Sequence, residues 1–444
     1  MAITLRLPPV PACQLSSGRD YHGRMIPFRT SLALLGASLL AACASTGPAP
    51  SSTTAAAATA PPTVLLLSID GLRADMIERG HSPNLARLAR EGVRSAGMSP
   101  SYPSLTFPNH YTLVTGLRPD HHGIIHNSMS AEDLGRFSLQ DRAAVTNPAW
   151  WGGEPIWVGV EKAGYKSATW SWPGSEAAIQ GVHASQWHAY DESVPLPERM
   201  KLVLSWLEGA PDGRTPRLVA AYMEQVDQAG HDHGPDSPEY AAALQEVDAA
   251  IGQLLDGMRR QGLLDRTNVI VVSDHGMASV PAGQVIATED MVAPEIAREV
   301  SVGQSVGFAP QPGREREAEK ALLGAHAHYD CWKKQQLPAR WHYGTHPRVP
   351  PIVCQMHEGW DALTRKGIAK RSPGNRGSHG YDPALPSMQA VFVARGPAFR
   401  QGAVLPRFDN VDLYPLLARL TGITAAPNDG DPQALLPALR QPAR

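Results

Sequence analysis

Four short runs of mostly apolar residues constrain the fold of this chain more than any other feature of its sequence. They lie at residues 64–69, 218–223, 269–273 and 389–394. A continuous apolar run is typical of a strand that is buried on both faces. Helical patterns lie between the runs, and the longest, over residues 237–261, places Leu244, Val247 and Ile251 on one face. Strands that alternate with helices predict an α/β fold with a mostly parallel central sheet flanked by helices.

Residues 280–378 interrupt this alternation. The stretch is rich in Pro, His, Trp and Arg, and we expect it to form a sizeable insertion or cap on one domain that covers residues 63–444. Hydrophobic residues make up 43% of the 444 and charged residues only 18%, so the chain has enough apolar material for a large core. This composition excludes a disordered chain.

The first residues are typical of an export signal. A basic start at Met25 precedes an apolar run over residues 31–40, and the sequence Leu-Ala-Ala-Cys ends at Cys43. This pattern predicts a lipoprotein signal peptide over residues 1–42, with the true start at Met25 and a lipid on Cys43 as the only contact with a membrane. An ordinary signal peptide remains the alternative. Residues 43–62 are uncharged and low in complexity, which is typical of a flexible tether. We expect an exported, periplasmic protein on the outer membrane.

The charge balance limits which partners the chain can bind. Lys and Arg number 40 against 42 Asp and Glu, so the net charge is −2. A mildly acidic surface offers no broad positive field for a polyanion. We therefore expect no binding to a nucleic-acid scaffold, and any phosphate chemistry has to use bound metal ions. Cys331 and Cys354 remain after export, and we expect them to pair in an oxidising compartment.

Possible metal ligands occur at or just after the ends of predicted strands. In open α/β sheets, sites form at the carboxyl ends of strands, so these distant segments can converge. Three carboxylates and three imidazoles are good zinc ligands, and they are more than one tetrahedral ion needs. The pattern predicts two metal ions, whereas any one segment alone would read as a capped strand end. The ligand candidates are Asp70, Asp227, His231, Asp274, His275 and His379.

A fifth segment supplies a hydroxyl. Thr106 is followed closely by Pro108, which is typical of a helix start. The free N–H groups and the dipole of a helix N-terminus attract phosphate. Thr106 is therefore either a plain N-cap or a nucleophile that a metal ion activates towards phosphorus.

The sequence around Thr106 resembles the nucleotide pyrophosphatase/phosphodiesterase family of the alkaline phosphatase superfamily, and we expect a bacterial member. The resemblance covers nearly everything from Val64 onward, in the same order. The matching segments begin with Thr-Phe-Pro-Asn-His-Tyr at residues 106–111, followed by 116–117, 122–125, 127, 153–157, 172–175, 222–235, 273–277, 337–338, 342–343 and 427–430.

The resemblance implies a set of roles. Asp70, Thr106, Asp274 and His275 would hold one Zn²⁺, and Asp227, His231 and His379 would hold a second. Thr106 would attack phosphorus and form a phosphothreonine ester, which water then breaks. The N–H of Phe107 and the amide of Asn127 would hold a phosphate oxygen, where charge develops in the transition state.

The resemblance also implies the substrate. Phe107 and Tyr190 would enclose a nucleobase, and Trp172 would be a further aromatic residue of the substrate site. We expect hydrolysis of nucleoside triphosphates, dinucleoside polyphosphates and related diesters, with release of a nucleoside 5′-monophosphate. The alternative is a phospholipid-type or general phosphodiesterase or phosphomonoesterase of the same superfamily, in which Glu176 or Asp191 could face a quaternary ammonium group.

Overall fold

The computed structural model describes residues 62–209, 215–371 and 373–441. The predicted signal peptide, Cys43 and all but the last residue of the predicted tether lie outside this part of the chain. Within the described ranges, no helix combines the length and the apolar character that crossing a bilayer requires.

An eight-stranded sheet forms the centre of the molecule. Neighbouring strands run parallel except at Phe392–Arg395, which is antiparallel to both of its neighbours. This arrangement confirms the predicted α/β fold with a mostly parallel sheet, and each of the four apolar runs supplies a strand. In spatial order the strands are Ala403–Leu405, Val93–Ser95, Phe392–Arg395, Thr267–Val272, Thr63–Ile69, Leu218–Met223, Ser167–Trp170 and Gln186–His188.

The strand Thr63–Ile69 shows why an unbroken apolar run is needed at the centre. Successive side chains of a strand point to opposite faces, and both faces are covered. Val64 and Leu66 pack into one hydrophobic core, whereas Leu65 and Leu67 pack into the core on the other side. All four are fully buried. Truncating one of these leucines to alanine would cost about 2–5 kcal/mol of unfolding free energy.

Helices cover both faces of the sheet. The long predicted helix is present at Pro238–Arg260, and the Ser237 hydroxyl caps it by accepting from the N–H of Tyr240 at 3.1 Å. The helices of the described chain are Pro83–Glu91, Thr106–Thr115, Pro119–His122, Arg142–Val145, Ile156–Lys162, Leu196–Glu208, Gln225–His233, Pro238–Arg260, Thr288–Met291, Glu315–Leu322, Arg365–Lys370 and Leu413–Thr421.

Residues 280–378, the predicted insertion, contribute no described strand to the eight-stranded sheet. They carry a separate five-stranded antiparallel sheet with its own small hydrophobic core. A disulfide joins Cys331 to Cys354 on two paired strands of that sheet, which confirms the expected pairing. In spatial order its strands are Ala297–Ser301, Ser305–Pro310, Ile352–Met356, Tyr329–Lys333 and Gly324–Ala325.

Four two-stranded pairs complete the strands of the described chain. One of them, Ala278–Val280 with Arg376–Ser378, returns the chain from the insertion to the edge of the central sheet where the candidate ligands lie. The others are Ser128–Ala131 with Gly135–Ser138, Val285–Ala287 with Asp361–Leu363, and Met98–Ser99 with Phe408–Asp409.

Candidate active site

The carboxyl ends of the three central strands lie side by side. Ser68 is in register with Tyr222 on one neighbouring strand and with Val272 on the other. The chain then leaves the sheet at the same edge in all three places, which brings Asp70, Asp227 and Asp274 together. Their convergence follows from parallel strand order alone.

The predicted histidines meet these carboxylates. The Nε2 atom of His275 lies 2.9 Å from an oxygen of Asp274 and 3.5 Å from an oxygen of Asp70. The Nε2 atoms of His231 and His379 lie 3.4 and 3.5 Å from the two oxygens of Asp227 and 3.0 Å from each other. The structure therefore brings all six predicted Asp and His ligands into one cluster.

All three of these histidines direct Nε2 towards the cluster and Nδ1 towards the main chain. Each Nδ1 lies within hydrogen-bond distance of a main-chain carbonyl: His231 on Gly377 at 3.1 Å, His275 on Gly276 at 2.9 Å and His379 on Ser104 at 2.9 Å. A carbonyl only accepts, so Nδ1 carries the proton and Nε2 presents a lone pair to the cluster. Fixing the tautomer through the outer nitrogen is how proteins prepare imidazole ligands for a metal ion.

Three buried carboxylate oxygens in this cluster lack a hydrogen-bond donor among the described residues. They are Oδ1 of Asp70, Oδ1 of Asp227 and Oδ2 of Asp274. A buried acceptor without a partner is costly, and a carboxylate more so. Hard or borderline cations that take oxygen and nitrogen ligands, such as Zn²⁺, would satisfy these oxygens together with the free Nε2 atoms. The residues present therefore fit the predicted metal ions.

The pKa values of Asp70 and His379 show how like groups crowd one another in this cluster. Burial and the neighbouring carboxylates of Asp274 and Asp227 raise the pKa of Asp70 well above its usual range. Burial and the nearby His275 and His231 hold the pKa of His379 well below its usual range. No lysine or arginine of the described chain forms an ion pair with these residues. A bound cation would lower the pKa that crowding raises at Asp70, and it would keep the carboxylates ionised.

Ligand atoms that lie within 4.8 Å of one another form two groups, Asp227 with His275 and His379, and Asp70 with His110 and Asp274. This grouping differs from the predicted division, in which His275 joined Asp70 and Asp274. His110 has no nitrogen to offer a metal ion, because its Nδ1 lies 3.0 Å from the carbonyl of Thr106 and its Nε2 lies 2.8 Å from the hydroxyl of Ser68. How the ligands are divided between two ions remains a prediction.

His110 instead packs behind the candidate ligands, next to Asp274. Its Nδ1 lies 3.2 Å from Oδ2 of Asp274, and both residues are fully buried. On the other side, the hydroxyl of Tyr222 donates to Oδ2 of Asp70 at 2.6 Å. Sequence reasoning assigned neither residue a role at the site. Tyr222 could have been noticed as the one phenol in an otherwise apolar strand.

Gly71 allows the cluster to close. Its φ is +67°, in the left-handed region that favours glycine, and its N–H donates to Oδ1 of Asp274 at 3.2 Å. A Cβ at this position would lie 2.8 Å from Oδ1 of Asp227, which is closer than such contacts occur. Any side chain at Gly71 would therefore push against one of the predicted ligands.

Thr106 lies at the edge of the cluster. It is the first residue of the helix Thr106–Thr115, and Leu105 occupies the N-cap position. The Thr106 hydroxyl is therefore not used to cap the helix. Its Oγ1 lies 3.4 Å from Nε2 of His275 instead, which places it beside the ligands as predicted.

Phe107 and Asn127 are neighbours at the same helix N-terminus. The Phe107 N–H donates to Oδ1 of Asn127 at 3.0 Å, so the two groups predicted to hold a phosphate oxygen bond to each other. Both line a cavity of about 480 Å³, called here the Phe107 cavity. Tyr190 also lines it and is 40% exposed, so its ring is available for contact with a ligand. The cavity is also lined by Thr106, Asp70, Asp227, His231 and His379.

Trp172 does not reach the Phe107 cavity. It is fully buried, its indole N–H donates to the carbonyl of His110 at 3.1 Å, and its ring packs edge-on against that of His110. Its neighbours Ser171 and Pro173 line the cavity instead. The sequence motif around Trp172 is at the site, but the indole itself supports the ligands from behind.

An ion pair that sequence reasoning did not identify also lines the Phe107 cavity. Arg142 bonds to one carboxylate oxygen of Glu176, and the other oxygen accepts from the N–H of Tyr190 at 3.2 Å. Glu176 thus holds Tyr190 and Arg142 together. Nothing in the sequence separated Arg142 from other exposed arginines.

A family model described as type I phosphodiesterase/nucleotide pyrophosphatase matches residues 64–382. This range contains all six clustered ligands and Thr106. The chain belongs to this family. The predicted family is thereby confirmed, as is the prediction that the chain is an enzyme of this kind.

Named relatives agree with this result. An uncharacterised pyrophosphatase/phosphodiesterase of Schizosaccharomyces pombe is 34% identical over 394 residues, covering 85% of this chain and 80% of that protein. Ectonucleotide pyrophosphatase/phosphodiesterase family member 3 of Rattus norvegicus is 36% identical over 391 residues, covering 85% of this chain and 44% of that protein. The chain therefore spans less than half the length of this vertebrate relative.

Solved structures of the family share the fold. Murine ectonucleotide pyrophosphatase/phosphodiesterase 5 superposes with a TM-score of 0.80 at 34% identity, over 85% of this chain and 100% of the murine chain. A second structure of that protein, an inactive threonine-to-alanine variant in complex with AMP, superposes equally well. These neighbours confirm the predicted alkaline-phosphatase-like fold.

Proposed function

We propose that this protein hydrolyses nucleotide phosphodiester and pyrophosphate bonds, uses two Zn²⁺ ions, and releases a nucleoside 5′-monophosphate through a phosphothreonine ester on Thr106. The observation that carries the proposal is the Thr106 hydroxyl, free of any capping role and 3.4 Å from Nε2 of His275 in the ligand cluster. The murine relative that is inactive without one threonine, and that binds AMP, supports both the nucleophile and the product.

The proposed reaction has two steps, in which the reacting groups are the Thr106 hydroxyl and water. In the first, a bond forms between Oγ1 of Thr106 and the phosphorus, the bond to the leaving oxygen breaks, and its electron pair stays on that oxygen. The threonine proton is released to water. In the second, water attacks the phosphorus, the Oγ1–phosphorus bond breaks, and Thr106 regains a proton. The net reaction consumes one water.

The metal ligands would be Asp70, Thr106, Asp274 and His275 for one ion, and Asp227, His231 and His379 for the other. When bound, the two ions would supply Lewis-acid stabilisation of the attacking and departing oxygens. The Phe107 N–H would exchange its bond to Oδ1 of Asn127 for a bond to a phosphate oxygen, at the positive end of the helix dipole. The Nδ2 group of Asn127 would donate to the same phosphate oxygen.

Phe107 and Tyr190 supply aromatic surface for a nucleobase in the Phe107 cavity. A phosphocholine substrate is less well supported, because the buried carboxylate of Glu176 is already paired with Arg142. Asp191 does not line this cavity. Neither of the two acids singled out from the sequence is therefore free in this cavity to face a quaternary ammonium group, although the carboxylate of Glu192 also lines it.

The test is turnover of the p-nitrophenyl ester of thymidine 5′-monophosphate. We expect hydrolysis by the zinc-loaded wild type and none by Thr106→Ala, which should still bind zinc, whereas Thr106→Ser should retain part of the rate. Unchanged turnover in Thr106→Ala would contradict the proposal. Values of kcat/KM on a phosphomonoester and a phosphocholine ester, measured alongside, would reveal a lipid or general esterase by a reversed preference.

For localisation, our proposal is that a bacterial cell exports the protein and anchors it to the outer membrane through a lipid on Cys43, with residues 43–62 as a tether. The support is the sequence pattern alone. Growth with radiolabelled palmitate should label the wild type but not Cys43→Ser, and the variant should move to the soluble periplasmic fraction. Equal labelling of both chains would overturn the lipid anchor.

A further inference from the structure

A second cavity adjoins the Phe107 cavity beneath the insertion. It has a volume of about 600 Å³ and is called here the cap cavity. The two cavities share Asn127, His231, Asp232 and His379. Thr106, Phe107 and Tyr190 line only the Phe107 cavity. The cap cavity thus includes two of the three proposed ligands of the second ion, and neither Phe107 nor Tyr190 lines it.

Three cationic side chains line the cap cavity. They are Lys370 and Arg371, where the helix Arg365–Lys370 ends, and Arg376, at the start of the strand that leads to His379. The carboxylates that line it are Asp232 and Asp361, so the cations outnumber them by one. This is the reverse of the ligand cluster, where the carboxylates have no lysine or arginine partner in the described chain.

The two arginines have guanidinium donors that are not used within the described part of the chain. Nη2 of Arg371 pairs with Asp361 at 2.8 Å, but its buried Nη1 has no partner among the described residues. The Arg376 guanidinium forms no ion pair within the described part of the chain. Burial and the nearby Arg371 lower the pKa of Arg376. Each of these features would be relieved by an anion with several oxygens.

The position of the cap cavity matches the direction in which a leaving group must depart. In an in-line displacement the attacking and departing oxygens lie on opposite sides of the phosphorus. In the proposed reaction the attacking oxygen belongs to Thr106, and Asp227, His231 and His379 serve the departing side. The cap cavity is the space that contains two of these departing-side ligands and excludes Thr106.

We propose that the cap cavity binds the anionic leaving group of the substrate, the pyrophosphate or longer phosphate chain released from a nucleoside polyphosphate, through Lys370, Arg371 and Arg376. This inference rests on the proposed function and makes it more specific. The enzyme would select nucleotides whose leaving group is a phosphate chain over diesters of the same nucleotide with an uncharged or aromatic leaving group.

The test compares two substrates that share one nucleoside. Thymidine 5′-triphosphate releases pyrophosphate, whereas p-nitrophenyl thymidine 5′-monophosphate releases nitrophenolate. Lys370→Ala and Arg376→Gln should each lower the ratio of their kcat/KM values, triphosphate over nitrophenyl ester, by about tenfold or more, the size expected for losing a charge-assisted hydrogen bond. Arg371 is left intact because its removal would leave Asp361 buried without its cation.

Lys366→Ala is the matched control. Lys366 lies on the same helix, is exposed and does not line the cap cavity. Its loss removes the same charge and should leave the ratio within about twofold, in the range of a solvent-screened surface charge. A ratio that stays constant in Lys370→Ala and Arg376→Gln overturns the cap cavity as a leaving-group site, whatever happens to the absolute rates. So does an equal fall in Lys366→Ala.

The two proposals fail in different ways. If the wild type does not hydrolyse the nitrophenyl ester, or Thr106→Ala still does, the proposed function is wrong. If the nitrophenyl ester is hydrolysed through Thr106 but the ratio does not respond, only the leaving-group site is wrong. Turnover of the nitrophenyl ester by each variant also shows that it has folded.

Discussion

The hydroxyl Oγ1 of Thr106 lies 3.4 Å from Nε2 of His275. The imidazole reaches this place because its Nδ1 is engaged by the carbonyl of Gly276 and its Nε2 faces the carboxylate of Asp274. The hydroxyl and the imidazole come from segments 169 residues apart in sequence, yet both meet at one edge of the sheet.

Because Thr106 and His275 are neighbours with different proposed roles, we expect their alanine variants to differ in zinc content. His275→Ala should lower zinc content and reduce kcat/KM at least about 100-fold, since even the partners of metal ligands cost 10–100-fold when lost. Thr106→Ala should abolish turnover but retain most of the zinc. Metal analysis of both purified proteins, alongside turnover of the nitrophenyl ester, provides the check. Full zinc occupancy in His275→Ala would contradict its role as a ligand.

Chelation should destabilise the protein. Without cations, three buried carboxylate oxygens lose their only expected partners. We expect EDTA to lower Tm by about 5 °C or more and zinc to restore it, since a ligand that binds only the folded state stabilises it. Differential scanning calorimetry would measure this. Thr106→Ala should respond like the wild type, and a Tm that is equal in EDTA and in zinc would argue against bound metal.

Gly71→Ala should disrupt the ligand cluster more than the backbone. Gly71 and Gly80 both have φ in the left-handed region, +67° and +85°, so alanine should cost each about 1–2 kcal/mol of unfolding free energy. Only at Gly71 does the new methyl contact a proposed ligand atom, Oδ1 of Asp227, whereas nothing lies within 4 Å at Gly80. Zinc content and turnover should fall in Gly71→Ala alone. Equal loss in Gly80→Ala would show that backbone strain is the cause.

Tyr190→Ala should weaken substrate binding. Stacking on a base is worth about 1–3 kcal/mol, so KM for a nucleotide substrate should rise between about fivefold and a hundredfold. The Tyr190 hydroxyl makes only a long 3.5 Å bond to Glu192, so Tyr190→Phe should behave like the wild type. Steady-state kinetics of the two variants distinguish the ring from the hydroxyl. An equal rise of KM in both would assign the effect to the hydroxyl.

Buried His122 should make stability depend on pH. Burial lowers its pKa to about 3, and the ring is held neutral because Nδ1 accepts the N–H of Ile124 while Nε2 lies 3.0 Å from the Thr112 hydroxyl. Below pH 6.5 the unfolded chain binds a proton that the folded chain refuses. The stability that the neutral ring contributes is therefore complete above pH 6.5 and is lost as the pH falls towards 3, by up to about 1.4 kcal/mol per pH unit.

His122→Asn keeps an acceptor for the N–H of Ile124 but removes the titration. At pH 7 this variant should be less stable than the wild type, by about 1–2 kcal/mol for the lost bond at Nε2. The difference should shrink as the pH is lowered from 7 to 5. Urea unfolding of both proteins at several pH values measures it, and a difference that does not change with pH would contradict the prediction.

The convergence of the candidate ligands was predictable because each of them follows an apolar strand or lies in a recognisable motif. Asp70 and Asp274 come within two residues of strands that could be predicted from composition alone, and parallel order then brings them together. The hydroxyl of Thr106 was equally visible, but whether it capped the helix depended on where the helix begins. In the structure the N-cap residue is Leu105, and the helix begins at Thr106.

Other roles depend on contacts that sequence spacing does not encode. His110 received no role from the sequence, because nothing local shows that its Nδ1 lies 3.2 Å from Oδ2 of Asp274. Trp172 was expected to contact substrate, but a sequence motif does not tell which of its side chains points into the core. The cap cavity arises where the helix Arg365–Lys370 meets the strand Arg376–Ser378, and no periodicity predicts that meeting.

The main-chain support of the three imidazoles has a consequence for sequence divergence. Because Gly276, Gly377 and Ser104 orient them through carbonyl groups, no second side chain has to change in step with a ligand histidine. Positions that do not crowd these carbonyls can therefore change, whereas a Cβ at Gly276 or Gly377 would clash with a neighbouring main-chain carbonyl. Such an architecture lets one chemistry persist among relatives that share only about a third of their residues.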